Sequence, residues 1–389
     1  MVEFIPNNLN IPFLDYGRKC ATVSAILVGT SLLLLAVVGL PLGVDFAGGT
    51  ELQVKFESAD VTTANIRQAL AGLKAEPEVQ YFGQSHGKNE YLLKTTQVTM
   101  IDSETASAIG KDLLAKLAEF GPRNFAHRTY GGDHLEFTAD KKIEEAKIRE
   151  ALTGRNLNIR SVTIDGAEGR WLHQISMAGL TDEVSEALTK AFGANSFTVV
   201  REETVGPKVG AQLVQDGTLS IIACLIAILI YVGFRFDFKF SAGAVVALFH
   251  DALITIGLFV VLQRPFNIAT IAALLTIIGY SINDTIVVFD RIRERIPIDR
   301  DLKLHKIVDN AINQTLSRTT LTSMITLVSV ICLLLLGGGI IYDFSLAMFI
   351  GILVGTYSSI YVAGSLALAL GLSRKDLLPA AKQAVDDRP

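Results

Sequence analysis

Cysteine is scarce: Cys20, Cys224 and Cys332 are the only three in 389 residues, and none stands in a CxxC or Cys/His spacing. That excludes a disulfide framework and a cysteine-held metal, and leaves the thiols as lipid-facing or core residues. The six histidines are scattered. No HExxH, Walker loop, GxSxG elbow or GxGxxG turn occurs, so metal, phosphate and acyl chemistry have no motif to use, and neither an enzyme nor a bound cofactor or metal is expected. Positive charge is not in excess either, with 35 Lys and Arg against 39 Asp and Glu. Nucleic acid is therefore not an expected partner.

What the chain has in quantity is apolar sequence, 50% of all residues, gathered into long blocks as lipid partners require. A bilayer core needs roughly 20 apolar residues per helix. Six stretches qualify: about Cys20 to Leu40, Thr218 to Phe234, Phe240 to Leu262, Phe266 to Phe289, Thr319 to Leu336 and Phe344 to Leu372. The first is too long for a signal-peptide core and lacks a small-residue cleavage site, so a retained anchor is expected. Arg235, Asp237 and Lys239, then Gln263-Arg264-Pro265 and Gly337-Gly338-Gly339, punctuate the joins.

Lys and Arg in short loops stay on the cytoplasmic side. One side collects Arg18, Lys19, Arg235, Lys239, Arg291, Arg293, Arg295, Arg318, Arg374, Lys375, Lys382 and Arg388, whereas the opposite short loops hold only Arg264. Both termini are thus expected in the cytoplasm, with the large polar segment outside. The divisions are residues 1–43 for the cytoplasmic N-terminus and first helix, 44–130 and 131–205 for two external units, 206–373 for the remaining helices, and 374–389 for a cytoplasmic tail.

The external segment repeats itself. Gly48-Gly49-Thr50-Glu51-Leu52 returns as Gly131-Gly132-Asp133-His134-Leu135, and Ile66-Arg67-Gln68-Ala69-Leu70 as Ile148-Arg149-Glu150-Ala151-Leu152, about 80 residues apart. Each half reads strand, helix, strand, strand, helix, strand, the order of a ferredoxin-like unit. Thr181-Asp182-Glu183 supplies a helix start and Gly193 a stop. The fold class is an α-helical membrane protein of six transmembrane helices with a large periplasmic α+β domain of two tandem ferredoxin-like units. His86, His127, His134 and His173 read as solvated or hydrogen-bonded surface groups.

Polar residues inside the spans carry the remaining information. Gly243, Ala247, Asp251 and Thr255 recur every four residues, one helical face that is small at one end and polar at the other. A charged aspartate near mid-span costs roughly 2.5 to 3.5 kcal/mol on insertion scales, which makes Asp251 the expected proton carrier, with a helix-joining hydrogen bond as the bland alternative. His250 lies about 100° away around the helix and is expected to support or pack. Thr276, Tyr280, Asn283 and Asp284 share a face of the fourth span, where Asp284 would cap, pair with Arg318 or relay a proton. Asp251, Asp284, Asn283 and Tyr280 form the expected relay set. Stripes at Gly351, Gly355, Ser359 and Ala363, and at Thr319, Thr322, Ser323 and Thr326, read as helix packing.

Three stretches carry a family resemblance: Val44-Asp45-Phe46-Ala47-Gly48-Gly49-Thr50, Val205-Gly206-Pro207-Lys208-Val209-Gly210, and Gly279-Tyr280-Ser281-Ile282-Asn283-Asp284-Thr285-Ile286-Val287-Val288-Phe289-Asp290-Arg291-Ile292-Arg293-Glu294. Together they resemble the SecF-type members of the SecD/SecF protein-export family, within the wider resistance-nodulation-division (RND) group. The resemblance implies an inner-membrane accessory of export that is driven by the proton gradient and acts on unfolded preproteins. Its implied partners are SecD, the SecYEG channel and YajC. It also points to the aspartate of Ala247-Leu248-Phe249-His250-Asp251. SecF-type proteins carry one compact external domain, so the second repeat departs from that pattern. The rival readings are a stand-alone efflux or lipid transporter of the wider group and a passive scaffold for translocase assembly, which would tolerate replacement of Asp251.

Overall fold

The computed structural model describes residues 10–371 except 74–76, 86–87, 97–102, 129–133, 155–156, 158, 168, 178–179 and 237. Gly131-Gly132-Asp133, His86, Asp237 and the tail 374–389 lie outside those residues. Contacts divide the chain into two units, Met1–Leu42 with Asp216–Pro389, and Gly43–Gln215.

The chain opens with α1 (Gly17–Val37) and continues through α2 (Val44–Ala47), β1 (Gly49–Phe56), α3 (Thr63–Leu70), β2 (Glu78–Ser85), β3 (Lys88–Thr95), α4 (Ser103–Lys116) and β4 (Arg123–Arg128). Then follow β5 (His134–Ala139), α5 (Glu145–Leu152), β6 (Ile159–Ala167), β7 (Arg170–Met177), α6 (Leu180–Phe192) and β8 (Phe197–Val205). The remaining helices are α7 (Pro207–Arg235), α8 (Phe238–Val261), α9 (Ile268–Ile298), α10 (Leu304–Leu336) and α11 (Gly338–Ser358). A π-helical turn over Ser359–Ala363 leads from α11 into α12 (Gly364–Ala369).

The α+β unit contains two four-stranded antiparallel sheets, ordered β2-β3-β1-β8 and β4-β5-β7-β6. Each has the ferredoxin-like order, but neither is contiguous: β4 of the first repeat completes the second sheet and β8 of the second completes the first. Each sheet therefore takes strands from both sides of residue 130/131. The helices follow their strands. Val184 and Leu188 of α6 join Leu52, Val54, Phe56, Ile66 and Tyr91 in one core, while Ala106, Ile109 and Leu113 of α4 join Leu135, Phe137, Ile148 and Ile175 in the other. Such an exchange is possible because the repeats present alike apolar patterns, so either terminal helix–strand pair fits either sheet. Two local advantages favour it. Sequence-adjacent β4 and β5 pair as neighbours at small closure entropy, and β1 pairs with β8 from Gly49↔Val205 to Phe56↔Phe197, which brings the strands that enter and leave the unit side by side.

Close backbone approaches explain two of the glycine motifs. Gly49 has φ 118° and its missing Cβ would run into the carbonyl of Thr95 on β3, so no other residue fits. In α7 a Cβ on Gly210 would stand 3.1 Å from Phe46 O and 3.2 Å from Gly48 N. The Val44–Thr50 and Val205–Gly210 stretches thus meet.

His173 is not a surface group. It is fully buried, its Nε2 accepts the Ile143 N–H at 3.0 Å, and its ring stacks on Phe137 with centroids 4.9 Å apart. Among the described residues no cluster of His, Cys, Asp and Glu could hold a metal.

Six helices are long and apolar enough to cross a membrane among the described residues: Phe13–Val37, Val209–Arg235, Lys239–Val261, Ile268–Ile298, Leu304–Leu336 and Ile341–Ala369. The third is central, with 56% of its apolar window buried against 6% for Val209–Arg235. With 31 and 33 residues, α9 and α10 run about 45–50 Å, well beyond a hydrocarbon core of about 30 Å. Arg291, Arg293 and Arg295 therefore sit in continuous helix rather than in a loop. The extended ends bury Ile292, Ile296, Ile307, Val308 and Ile312 with Phe13, Phe236 and Phe289. Asn313 clasps Ile11 through its N–H and carbonyl at 3.0 and 2.9 Å, and Asp309 accepts the Leu14 N–H at 3.0 Å. The segment before α1 is thus strapped to α10.

Two predictions come from the α+β unit. Because the sheets share their last strands, fragment 43–215 should unfold in one cooperative transition and fragment 43–130 should not fold; a cooperatively folded 43–130 in circular dichroism would contradict the exchange. Burial lowers the pKa of His173 below its ordinary value, with hydrogen bonds opposing. The unfolded chain then binds the extra proton, so stability is lost as pH falls through about 6.5, by up to about 1.4 kcal/mol per pH unit. The melting temperature of fragment 43–215 should fall between pH 7.5 and 5.5, and His173→Gln should flatten that dependence.

Candidate functional site

Asp251 sits near the middle of α8 with no exposed surface. Both carboxylate oxygens are occupied. Oδ1 faces Nδ1 of His250 at 2.9 Å, and Oδ2 accepts the hydroxyls of Ser281 at 2.5 Å and Ser358 at 2.7 Å. Ser281 belongs to α9, and Ser358 closes α11 where the π-turn begins. π-turns are rare and concentrate at functional positions. Thr255 donates to the Asp251 carbonyl at 2.8 Å.

His250 carries the network further. Its Nε2 lies 3.0 Å from Ser24 Oγ on α1, Ser24 Oγ lies 3.1 Å from the Tyr357 hydroxyl, and that hydroxyl donates to the Cys20 carbonyl at 2.9 Å. The imidazole is thus a direct partner of the carboxylate, through its Nδ1. Ser24, Ser281, Ser358 and Tyr357 were not legible as site residues, because nothing in one helix marks which hydroxyl meets another helix.

Small residues make the approach possible. A Cβ on Gly355 would stand 3.3 Å from Ser281 Cβ and 3.6 Å from Asp251 Oδ2, and one on Gly243 would meet Ala363 O at 3.0 Å. Ala247, Thr255, Ser359 and Ala363 are fully buried. The hydroxyl stripe of α10 divides instead: Thr319 and Ser323 face inward, while Thr322 and Thr326 donate back to carbonyls of their own helix.

The α9 set splits as well. Asp284 is buried, with Oδ2 lacking a hydrogen-bond partner among the described residues, as do the hydroxyls of Thr285 and Thr319. Tyr280 donates to Ser323 at 3.5 Å, and Arg291 Nε donates to Gln314 Oε1 at 2.7 Å. That antiparallel register sets Asp284 level with Thr319. Asn283 and Thr276 point outward, and Arg318 is exposed without an ion pair among the described residues. Asp284 therefore does not pair with Arg318.

Charges are paired where the helices end. Arg235 Nη2 donates to both oxygens of Asp290 at 2.6 and 2.8 Å, and Glu294 accepts from Arg291 at 2.6 Å. At the opposite end Arg264 is buried: Nε and Nη2 donate to Asp343 Oδ1 at 3.0 and 2.9 Å, Asn267 donates to Oδ2 at 3.3 Å, and the guanidinium covers the Tyr342 ring at 4.5 Å. The sequence reading of Arg264 as a loop charge missed this pair. Removing one member of such a pair strands the other, at about 3–5 kcal/mol. Arg264→Met should therefore lower the unfolding midpoint of the purified protein sharply, and Arg264→Met with Asp343→Leu should recover most of the loss.

A carboxylate joined to an imidazole and to hydroxyls that both donate and accept is an arrangement able to take up and pass a proton without leaving an unpaired group.

Comparison with known proteins places this architecture. Residues 184–373 match the family described as protein export membrane protein SecD/SecF, C-terminal, and residues 33–60 match the SecD/SecF GG motif. A protein translocase subunit SecF of Koribacter versatilis is 37% identical over 384 residues, 93% of this chain and 92% of that protein. One from Calditerrivibrio nitroreducens is 34% identical, covering 96% and 98%. These near full-length matches take in the α+β unit, so its doubled size is shared. The crystal structure of SecDF from Thermus thermophilus, a translocon-associated membrane protein, aligns with a TM-score of 0.60 at 29% identity, over 94% of this chain and 39% of that one. With six helices of membrane-spanning length, two ferredoxin-like sheets and relatives this similar over nearly its whole length, the chain is a multi-pass membrane protein that belongs to the SecF family of protein translocase subunits.

Proposed function

We propose that the protein uses the proton motive force to assist export of unfolded preproteins, as a transport component rather than an enzyme, and that Asp251 carries the coupled proton. The observation behind this reading is a fully buried, mid-membrane carboxylate bonded to an imidazole and two hydroxyls. Each charge crossing the full potential supplies about 2.3 kcal/mol per 100 mV, enough to shift a helix-packing equilibrium by well over tenfold. Asp284, whose Oδ2 lacks a hydrogen-bond partner among the described residues, is the second member of the relay, with Tyr280 and Asn283 beside it on α9.

The distribution of Lys and Arg supports an inner-membrane orientation with cytoplasmic termini and a periplasmic α+β unit. SecD is the proposed partner, in keeping with a SecDF chain of Thermus thermophilus that is 41% identical over 258 residues. SecYEG and YajC are proposed as the wider assembly. Relatives named as translocase subunits speak against the stand-alone RND transporter.

Asp251→Asn keeps the shape of the side chain and removes its titration. The variant should accumulate and copurify with SecD and SecYEG as the parent does, yet lose gradient-dependent export in membrane vesicles. Full export in Asp251→Asn together with loss in Asp284→Asn would move the carrier to Asp284.

A further inference from the structure

Asp251 has two oxygens with different neighbours, and the two sides are chemically distinct. Oδ2 is held by Ser281 and Ser358, from α9 and α11. Oδ1 begins a continuous line of exchangeable groups: His250 Nδ1 at 2.9 Å, then from Nε2 to Ser24 at 3.0 Å, then Tyr357 at 3.1 Å. The line leaves α8, crosses α1 and ends at α11. Its last hydroxyl bonds the Cys20 carbonyl at 2.9 Å, next to the Arg18-Lys19 end of α1. About two turns beyond Tyr357, in α12, the Ser365 hydroxyl is buried without a hydrogen-bond partner among the described residues, and a Cβ on Gly17 would stand 3.3 Å from it. A hydroxyl left unpaired beside such a line is where a water would find a partner.

We propose that His250, Ser24 and Tyr357 form a proton route joining Asp251 to the Arg18-Lys19 end of α1. The inference rests on the carrier reading of Asp251. With the carboxylate ionised, Nδ1–H of the neutral imidazole donates to Oδ1, Ser24 donates to Nε2, and the Tyr357 hydroxyl turns from the Cys20 carbonyl to donate to Ser24. Loading Asp251 then moves four protons by one place each: from a hydronium ion to the Tyr357 oxygen, from Tyr357 to Ser24, from Ser24 to Nε2, and from Nδ1 to Oδ1. The carboxyl becomes neutral, the imidazole stays neutral in its other tautomer, each hydroxyl keeps one proton, and the hydronium is left as water. Each link between the protein groups is within hydrogen-bond distance, and none of these groups is charged in the end state. His250 and the two hydroxyls are positioning and transfer groups, whereas Ser281 and Ser358 hold the other oxygen.

Tyr357→Phe deletes the terminal hydroxyl and keeps the ring against Tyr361, whose centroid is 5.3 Å away. Ser24→Ala deletes the bridge, and Ser24→Thr keeps a hydroxyl. In vesicles carrying the full complex, Tyr357→Phe and Ser24→Ala should each slow gradient-dependent export about tenfold, equivalent to ~1.4 kcal/mol of barrier, and should raise the solvent deuterium isotope effect. Ser24→Thr should export at close to the parental rate. With Asp251→Asn inactive, parental rates and isotope effects in both Tyr357→Phe and Ser24→Ala overturn the route. Active Asp251→Asn overturns the carrier reading itself, and the route with it. A second measurement does not depend on assembly: after a pH jump on the purified full chain, the infrared carboxyl band that Asp251→Asn removes should appear about tenfold more slowly in Tyr357→Phe, and unchanged kinetics overturn the route.

Discussion

A carboxyl group in the middle of a bilayer has no water to turn to, so every hydrogen bond it makes must come from another part of the protein. Asp251 meets that condition by drawing on three other helices: Ser281 of α9, Ser358 of α11 and, through His250, Ser24 of α1. Donors on different helices reach one carboxylate only if the backbones come close. The small residues Gly243 and Ala247 on α8 and Gly355 on α11 allow this, and larger side chains there would push the donors away. The packing of the membrane unit and the satisfaction of one aspartate are therefore the same requirement.

The polar groups are graded along the helices. At the ends, charges are neutralised in direct pairs, Arg235 with Asp290 and Arg264 with Asp343. Around Asp251, neutral hydroxyls and one imidazole take over. The difference has a chemical consequence. A hydroxyl donates and accepts at once and can follow a proton by rotating, whereas a guanidinium only donates and holds its partner ionised. The ends are suited to fixing the helices, and the middle is suited to changing protonation state. Asp284, with an oxygen lacking a hydrogen-bond partner among the described residues, lies on the same α9 that supplies Ser281.

The α+β unit obeys a different constraint, imposed by its two attachments. Its first strand follows α1 and its last strand precedes α7, and pairing them from Gly49↔Val205 onward gives the unit one common edge at its two ends. Two self-contained repeats would leave β8 on the second sheet, away from β1. The exchange of terminal helix–strand pairs keeps both sheets complete while meeting this requirement, and it turns two repeats into one cooperative body. The polar face of the first sheet is itself cross-linked, with Gln53 donating to Glu90 at 2.6 Å and Lys94 paired to Glu51 at 3.4 Å.

Local pattern was enough for the six apolar spans, the strand–helix order of each repeat, and the placing of Asp251 on a face of small residues, because hydropathy, period and punctuation act over a few neighbouring residues. It also marked the glycine-rich stretches as motifs, although not their contact. What depended on tertiary structure is everything decided by partners far away in the chain. Ser24 and His250 are 226 residues apart, and Arg264 and Asp343 are 79 apart, so no periodicity links them. The helical continuation through Arg291–Arg295 is stabilised by packing of Ile292 and Ile296 against α10 rather than by apolar character of its own. The exchange of β4 and β8 lies equally beyond sequence, since two alike repeats encode the same sheet with either terminal strand, and only the geometry of their connections selects between them.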